Sequence, residues 1–289
     1  GTKGRYNITK LDLNNWKNFL NSTNNNNLIL SLDLTLIKNK DTISIYNRIK
    51  HILNKEYPIL WITSEKLIWS VADYLTPFPV IKINSEYFVK NSKYIELNIE
   101  NKFFNSLTTQ NVIGRVEGKR NKNIVISAHY DHLGMLGETK YPGANDNASG
   151  VSLLLNLAKY YSKKKSKYNI IFICFGAEEI GLKGSKYFVD HPLINLNKIK
   201  FLINLDIVGT GEDGISIVNA FEQKSAIKKI GKINSELNAF KRIKLRAQAP
   251  NSDHYWFSKK NVPAIFLYTL GGIKAYHDPY DKAETLSLK

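Results

Sequence analysis

Two periodicities divide this 289-residue chain. Up to about Gln110, short apolar runs of strand character alternate with turn-forming residues: SLDLTLI, PILWITS, FPVIKI and KYIELNI, with the polar loop tract STNNNN ahead of the first. One stretch, ISIYNRIKHIL, carries its apolar residues at helical spacing. This pattern predicts a smaller β-rich domain over residues 1–106, with a helix or two. From residue 107 to 289 the pattern changes. NIVISAH, NIIFICFG, KFLINLDIV, ISIVN and PAIFLYT read as strands, and VSLLLNLAKYY, GSKYFVD, QKSAIKKIGKINSEL and DHYWFSK read as helices. Apolar strands alternating with helices predict an α/β fold: a mostly parallel mixed sheet with helices on both faces.

In such a sheet the working residues lie just beyond the carboxyl ends of the strands. Applied here, that rule selects a short set. His129, Tyr130, Asp131 and His132 follow the first strand, and Glu178 and Glu179 follow the second. Asp206 follows the third, and Tyr276, His277 and Asp278 follow the last. Asp146 opens the helix between the first two strands, inside PGANDNASG. Each has an ordinary explanation when taken singly. Asp146 could cap its helix, and Glu178 and Glu179 could complement a helix dipole. Together they are harder to explain. Two histidines and several carboxylates on one sheet edge would repel without a cation, and they suit a metal such as zinc. The donors exceed what one tetrahedral ion needs, so a pair of ions sharing a carboxylate accounts for the surplus.

Composition narrows the picture further. The net charge is +16, but the lysines are spread along the chain among Asn and Ile, which argues against a nucleic-acid partner. Cys174 is the only cysteine and sits in an apolar run, so thiolate zinc sites, iron–sulfur clusters and intrachain disulfides are all excluded. The longest apolar runs are too short for a transmembrane segment. The chain starts at Gly, which reads as a trimmed or mature form, and a secreted or periplasmic location is expected.

SAHYDHLG, PGANDNASGV, FGAEEIGLKGS, NLDIVG and AYHDPYDKAETL resemble, in order and spacing, the motifs of the M28 zinc aminopeptidases. The resemblance covers about residues 111–288. It implies two zinc ions, with His129 and Asp206 on one, Glu179 and His277 on the other, and Asp146 bridging them through a turn that often holds a cis peptide to the next residue. It also implies that Glu178 is the general base and that Tyr276 stabilises the tetrahedral intermediate. Asp131, two residues after His129, suits a partner that fixes the imidazole tautomer. His132, His191 and His254 are left with structural hydrogen bonds.

The first half resembles, more weakly, a protease-associated domain. The implied activity is release of N-terminal residues from peptide substrates. Three alternatives remain open: a glutaminyl cyclase-like acyltransferase, a carboxypeptidase or dipeptidase of the same fold, and a binding module that has lost catalysis. A carboxypeptidase needs a cation for the substrate carboxylate, and the catalytic half offers Arg115, Arg120, Arg242 and Arg246. Ile207, Phe266 and Tyr268 either line an apolar pocket or belong to the core.

Overall fold

The structure, a computed structural model, describes residues 2–20, 27–72 and 74–288. The STNNNN tract lies outside them except for its last residue. The chain separates into two units, Gly1–Leu67 with Ala72–Leu107, and Ile68–Val71 with Thr108–Lys289. The division therefore falls one residue later than the 106/107 boundary read from sequence. Four residues of the first half also belong with the second unit, for a reason given below.

The first unit contains β1 (Thr2–Leu11), β2 (Leu28–Asp33), α1 (Lys40–Leu53), β3 (Ile59–Thr63), β4 (Val80–Asn84) and β5 (Tyr94–Ile99). Its sheet order is β4-β3-β2-β1-β5, with the first four parallel and β5 antiparallel to β1. Asn39 starts α1 by accepting from the backbone N–H groups of Asp41 and Thr42. Tyr46, Ile49 and Leu53 then fall on one helical face and pack on Leu30, Leu32, Ile59 and Trp61. Each such side chain contributes about 1.5–3 kcal/mol by leaving water.

The second unit contains β6 (Val112–Val116), β7 (Arg120–His129), β8 (Gly134–Leu136), β9 (Thr139–Tyr141), α2 (Gly150–Ser162), β10 (Tyr168–Phe175), α3 (Lys183–Asp190), β11 (Ile199–Leu205), β12 (Gly214–Val218), α4 (Lys224–Leu237), β13 (Ile243–Leu245), α5 (His254–Lys259) and β14 (Ala264–Leu270). The main sheet runs β13-β12-β14-β11-β7-β10-β6. Its four central strands, β14, β11, β7 and β10, are mutually parallel. Antiparallel pairs occur only where β12 meets β14 and where β6 meets β10. This is the mostly parallel mixed sheet that the sequence predicts.

Strand alternation distributes the helices. Ile171, Ile173 and Phe175 of β10 face α3 and α5, where Phe188 and Phe257 stack at 5.6 Å between ring centroids. Ile170 and Phe172 face the other way, with Leu154 of α2. No described helix is long and apolar enough to cross a membrane. The sequence pattern does not announce β1, β6 or β13. The last two are edge strands whose residues are mostly exposed, and β1 carries polar or half-exposed residues up to Leu11.

Candidate metal centre

Because the four central strands are parallel, their carboxyl ends bring together residues far apart in the chain. His129 is the last residue of β7, and Asp206 follows β11. Glu178 and Glu179 follow β10, and His277 follows the Gly271–Gly272 turn after β14. Both glycines of that turn have positive φ, 98° and 64°, which only glycine adopts at little cost.

The shortest approaches form two groups. His129 Nε2 lies 3.2 Å from Asp146 Oδ1 and 3.4 Å from Asp206 Oδ1. His277 Nε2 lies 3.4 Å from Asp146 Oδ2 and 3.1 Å from Glu179 Oε2. The two oxygens of Asp146 thus face different histidines. Bonds of about 2.1 Å in a tetrahedron separate neighbouring donors by about 3.4 Å, so these spacings match the edges of zinc polyhedra.

The hydrogen-bond chemistry gives a second test. His129 Nδ1 is 3.0 Å from the Asp131 carbonyl, and His277 Nδ1 is 2.9 Å from the Trp69 carbonyl. A carbonyl accepts only, so each Nδ1 carries the hydrogen and each neutral ring turns an Nε2 lone pair toward carboxylates. Lone pairs facing carboxylates need a proton or a metal ion between them. With protons alone, burial opposes charge on His129, but Asp206 and Asp146 outweigh it and hold its pKa well above the imidazole range. The same contest, between burial and the carboxylates of Asp146 and Glu179, pushes His277 up to about 10. The donor set fits a divalent metal.

Asp146 is held from several sides. It is buried, and its backbone N–H and that of Asn145 donate to the Asp281 carboxylate at 3.0 and 2.8 Å. Its peptide bond to Asn147 is cis. The flanking amides tie the loop to the Asp206 segment. Asn147 donates to the Leu205 carbonyl at 3.0 Å and accepts from the Ile207 N–H at 3.2 Å, and Asn145 accepts from the Gly209 N–H at 2.7 Å. Ile207 has a φ of 57°, a left-handed conformation uncommon for a β-branched residue, and its N–H is secured by Asn147. A Cβ on Gly150 would collide with the Asn147 side chain and the Leu205 carbonyl, so the helix starting there must open on glycine.

Asp131 meets the His129 ring through its carbonyl rather than its carboxylate. Its carboxylate is 3.8 Å from His129 Nδ1, while its carbonyl makes the 3.0 Å contact. The carboxylate instead accepts from the Glu178 and Glu179 N–H groups at 3.0 and 3.1 Å, which fixes the turn carrying both glutamates. Glu178 lines the cavity beside the donors but appears in neither group of short contacts. Burial, with Asp253, Asp206 and Glu179 close by, pushes its pKa up to about 9 against the pull of His129. Cations among these carboxylates would lower it. Burial and the surrounding carboxylates also raise the pKa of Tyr276, which lines the same cavity.

Several contributors escaped the sequence reading. Ser252 donates to Asp206 Oδ2 at 2.7 Å and accepts from Asn204, whose amide oxygen accepts from Ser127. Trp69 accepts from the His277 ring and donates its N–H to the His277 carbonyl at 3.1 Å, which is why Ile68–Val71 groups with the second unit. His132 Nδ1 sits 2.7 Å from Glu179 Oε1, so His132, Asp146 and Glu179 also form a candidate donor group. Of the remaining histidines, His191 reaches the Tyr187 carbonyl at 3.2 Å. His254 is fully buried, and burial lowers its pKa to about 4 against a hydrogen bond to the Ser252 backbone. Ser127, His132, Asn204 and Asp281 lie within the quoted motif stretches, whereas Ser252 and Trp69 do not.

A parallel sheet whose carboxyl edge carries two histidine–carboxylate groups about one shared aspartate defines the class: an α/β protein with a candidate metal centre. Residues 111–289 match Peptidase family M28, and the chain belongs to that family. Aminopeptidase YwaD of Bacillus subtilis (strain 168) is 33% identical over 221 residues, covering 72% of this chain and 47% of that protein. The solved structure of BSAP, a zinc aminopeptidase from Bacillus subtilis, aligns over 99% of this chain and 71% of its own, at 25% identity and a TM-score of 0.69. An Acidobacteriales bacterium glutaminyl cyclase shares the fold at 21% identity and a TM-score of 0.54, over 62% of this chain and 67% of its own. The chain spans about half the length of YwaD and less of other curated relatives.

Proposed function

We propose that this protein is a zinc-dependent aminopeptidase that removes N-terminal residues from peptides. The observation that carries the reading is Asp146, whose two oxygens face separate histidine–carboxylate pairs. We assign His129, Asp206 and Asp146 to one zinc, and Glu179, His277 and Asp146 to the other. When bound, the two ions polarise the scissile carbonyl and acidify a water. Glu178 takes the proton from the attacking water and delivers it to the leaving amine. The Tyr276 hydroxyl donates to the developing oxyanion. Asp131 positions Glu178 through its backbone N–H, and its carbonyl sets the His129 tautomer. The remaining acidic groups favour the substrate's α-ammonium group over an acylated terminus.

The intact Asn145-Asp146-Asn147 turn argues against the cyclase reading, which expects that stretch to be replaced and one zinc to be bound. The first unit is read as an accessory domain of protease-associated type, and the alignment to BSAP extends over it. A secreted or periplasmic setting completes the proposal, and cell fractionation checks it. The activity itself is tested by comparing one peptide with a free and an acetylated N-terminus. A large loss of kcat/KM on acetylation is expected. Equal values overturn the aminopeptidase assignment, and a pyroglutamyl product from N-terminal Gln without chain shortening points to the cyclase.

A further inference from the structure

The cavity beside the metal donors has a volume of about 290 Å³. Its lining includes Asp146, Glu178, Glu179 and Asp206. Ile207, Phe266 and Tyr268 also line it, with Arg246 as the one Lys or Arg side chain among the lining residues. Phe266 and Tyr268 place their rings 5.2 Å apart, so they make a continuous aromatic surface. Of the four arginines in the catalytic half, Arg115 is spent on Glu117 at 3.4 Å at the exposed sheet edge. Only Arg246 lines this cavity.

Its position is built in. Arg246 follows β13, where its N–H donates to the Ile217 carbonyl at 2.9 Å and its carbonyl accepts from Ala220 at 3.0 Å. Tyr268 lies on β14, two strands away, a span of about 10 Å. The arginine side chain crosses β12 to meet it, donating from Nη1 to the Tyr268 hydroxyl at 2.8 Å. One of its five N–H donors is committed there, and among the described residues it forms no ion pair with a carboxylate. A half-buried guanidinium without a carboxylate, held in place by a tyrosine and lining the cavity, is suited to a planar anion.

Resting on the aminopeptidase reading, we propose that Arg246 binds a substrate carboxylate and so selects peptides with an anion close to the scissile bond. That carboxylate comes either from an acidic first side chain or from the free C-terminus of a dipeptide. The guanidinium recognises the same group in both cases, and matched substrate pairs separate them. Glu-Ala-amide against Gln-Ala-amide isolates the side chain. Leu-Ala against Leu-Ala-amide isolates the terminus.

Binding is measured by titration calorimetry on the zinc-loaded Glu178→Gln protein, and kcat/KM on the zinc-loaded wild type. The anionic member of one pair is expected to bind at least tenfold tighter and to be cleaved at least tenfold more efficiently. Arg246→Met should bring that ratio below about threefold, and Arg246→Lys should retain part of it, since the charge stays and the fork is lost. Ratios near one in both pairs on wild-type protein overturn the inference, as does a ratio that survives Arg246→Met. If Leu-Ala-amide is cleaved while both ratios stay near one, the aminopeptidase reading stands and the Arg246 assignment falls. If nothing is cleaved but one anionic member binds tenfold tighter in an Arg246-dependent manner, the reverse holds.

Discussion

Each unit sets a cavity against the carboxyl ends of parallel strands, and the two use their carboxylates in opposite ways. In the first unit the cavity is the larger, about 370 Å³ against about 290 Å³, and Asp12 and Asp33 line it. Both are satisfied locally. Asp33 accepts from the N–H and hydroxyl of Thr35 at 3.0 and 2.7 Å, and Asp12 from the N–H groups of Asn14 and Asn15 at 2.7 and 2.9 Å. These are turn caps formed within two or three residues. In the second unit the partners are remote in sequence: Asp206 lies 77 residues from His129, and Asp281 lies 135 from Asp146. Cavity size therefore does not single out the candidate metal centre. Carboxylates that face histidines and one another from separate strands do, because only a bound cation offsets that arrangement well.

The largest effect expected is at Glu178. Glu178→Gln should lower kcat by about 10²-fold or more while both zinc ions stay bound, the scale of a lost general base. If the variant loses zinc and keeps its activity per bound metal, the roles of Glu178 and Glu179 are exchanged. Next comes Asp146→Asn, since a neutral amide bridges two cations poorly. Zinc per chain by elemental analysis should fall below two after dialysis at a concentration that leaves the wild type full.

The comparison also explains what the sequence could show. His129, Glu178, Glu179 and Asp206 are legible because each directly follows a run of apolar strand residues, and a parallel sheet places such residues on one edge. Asp146 is legible as an oddity, a carboxylate between two amides before a helix. Their supports are not. Ser252 and the Trp69 carbonyl reach Asp206 and His277 through pairings that no local pattern encodes. Arg246 was one of four equivalent arginines until the register of β13, β12 and β14 set it beside Tyr268. In the fold, the central strands announce themselves by burial on both faces, and the polar or short β1, β6 and β13 do not.

Asp281 sharpens the contrast with a smaller effect. Asp281→Ala strips the acceptor from two buried N–H groups, at about 1–3 kcal/mol for each one left unsatisfied. It should lower Tm and weaken zinc binding by about 10–100-fold, as loss of a support behind a metal ligand does. Smallest of all is Asp33→Ala in the first unit. Asp33 is exposed and, among the described residues, bonds within its own turn, so stability should change by less than about 1 kcal/mol. Zinc content and kcat should not change. A loss of metal or activity from Asp33→Ala would erase the distinction between the two cavities.

Anomalous diffraction at the zinc edge, from crystals grown with excess zinc, tests the central assignment most directly. The account predicts two peaks about 3.5 Å apart. His129 and Asp206 should lie on one, Glu179 and His277 on the other, with an oxygen of Asp146 on each. A single peak at full occupancy, or an Asp146 carboxylate turned away from both, would contradict it.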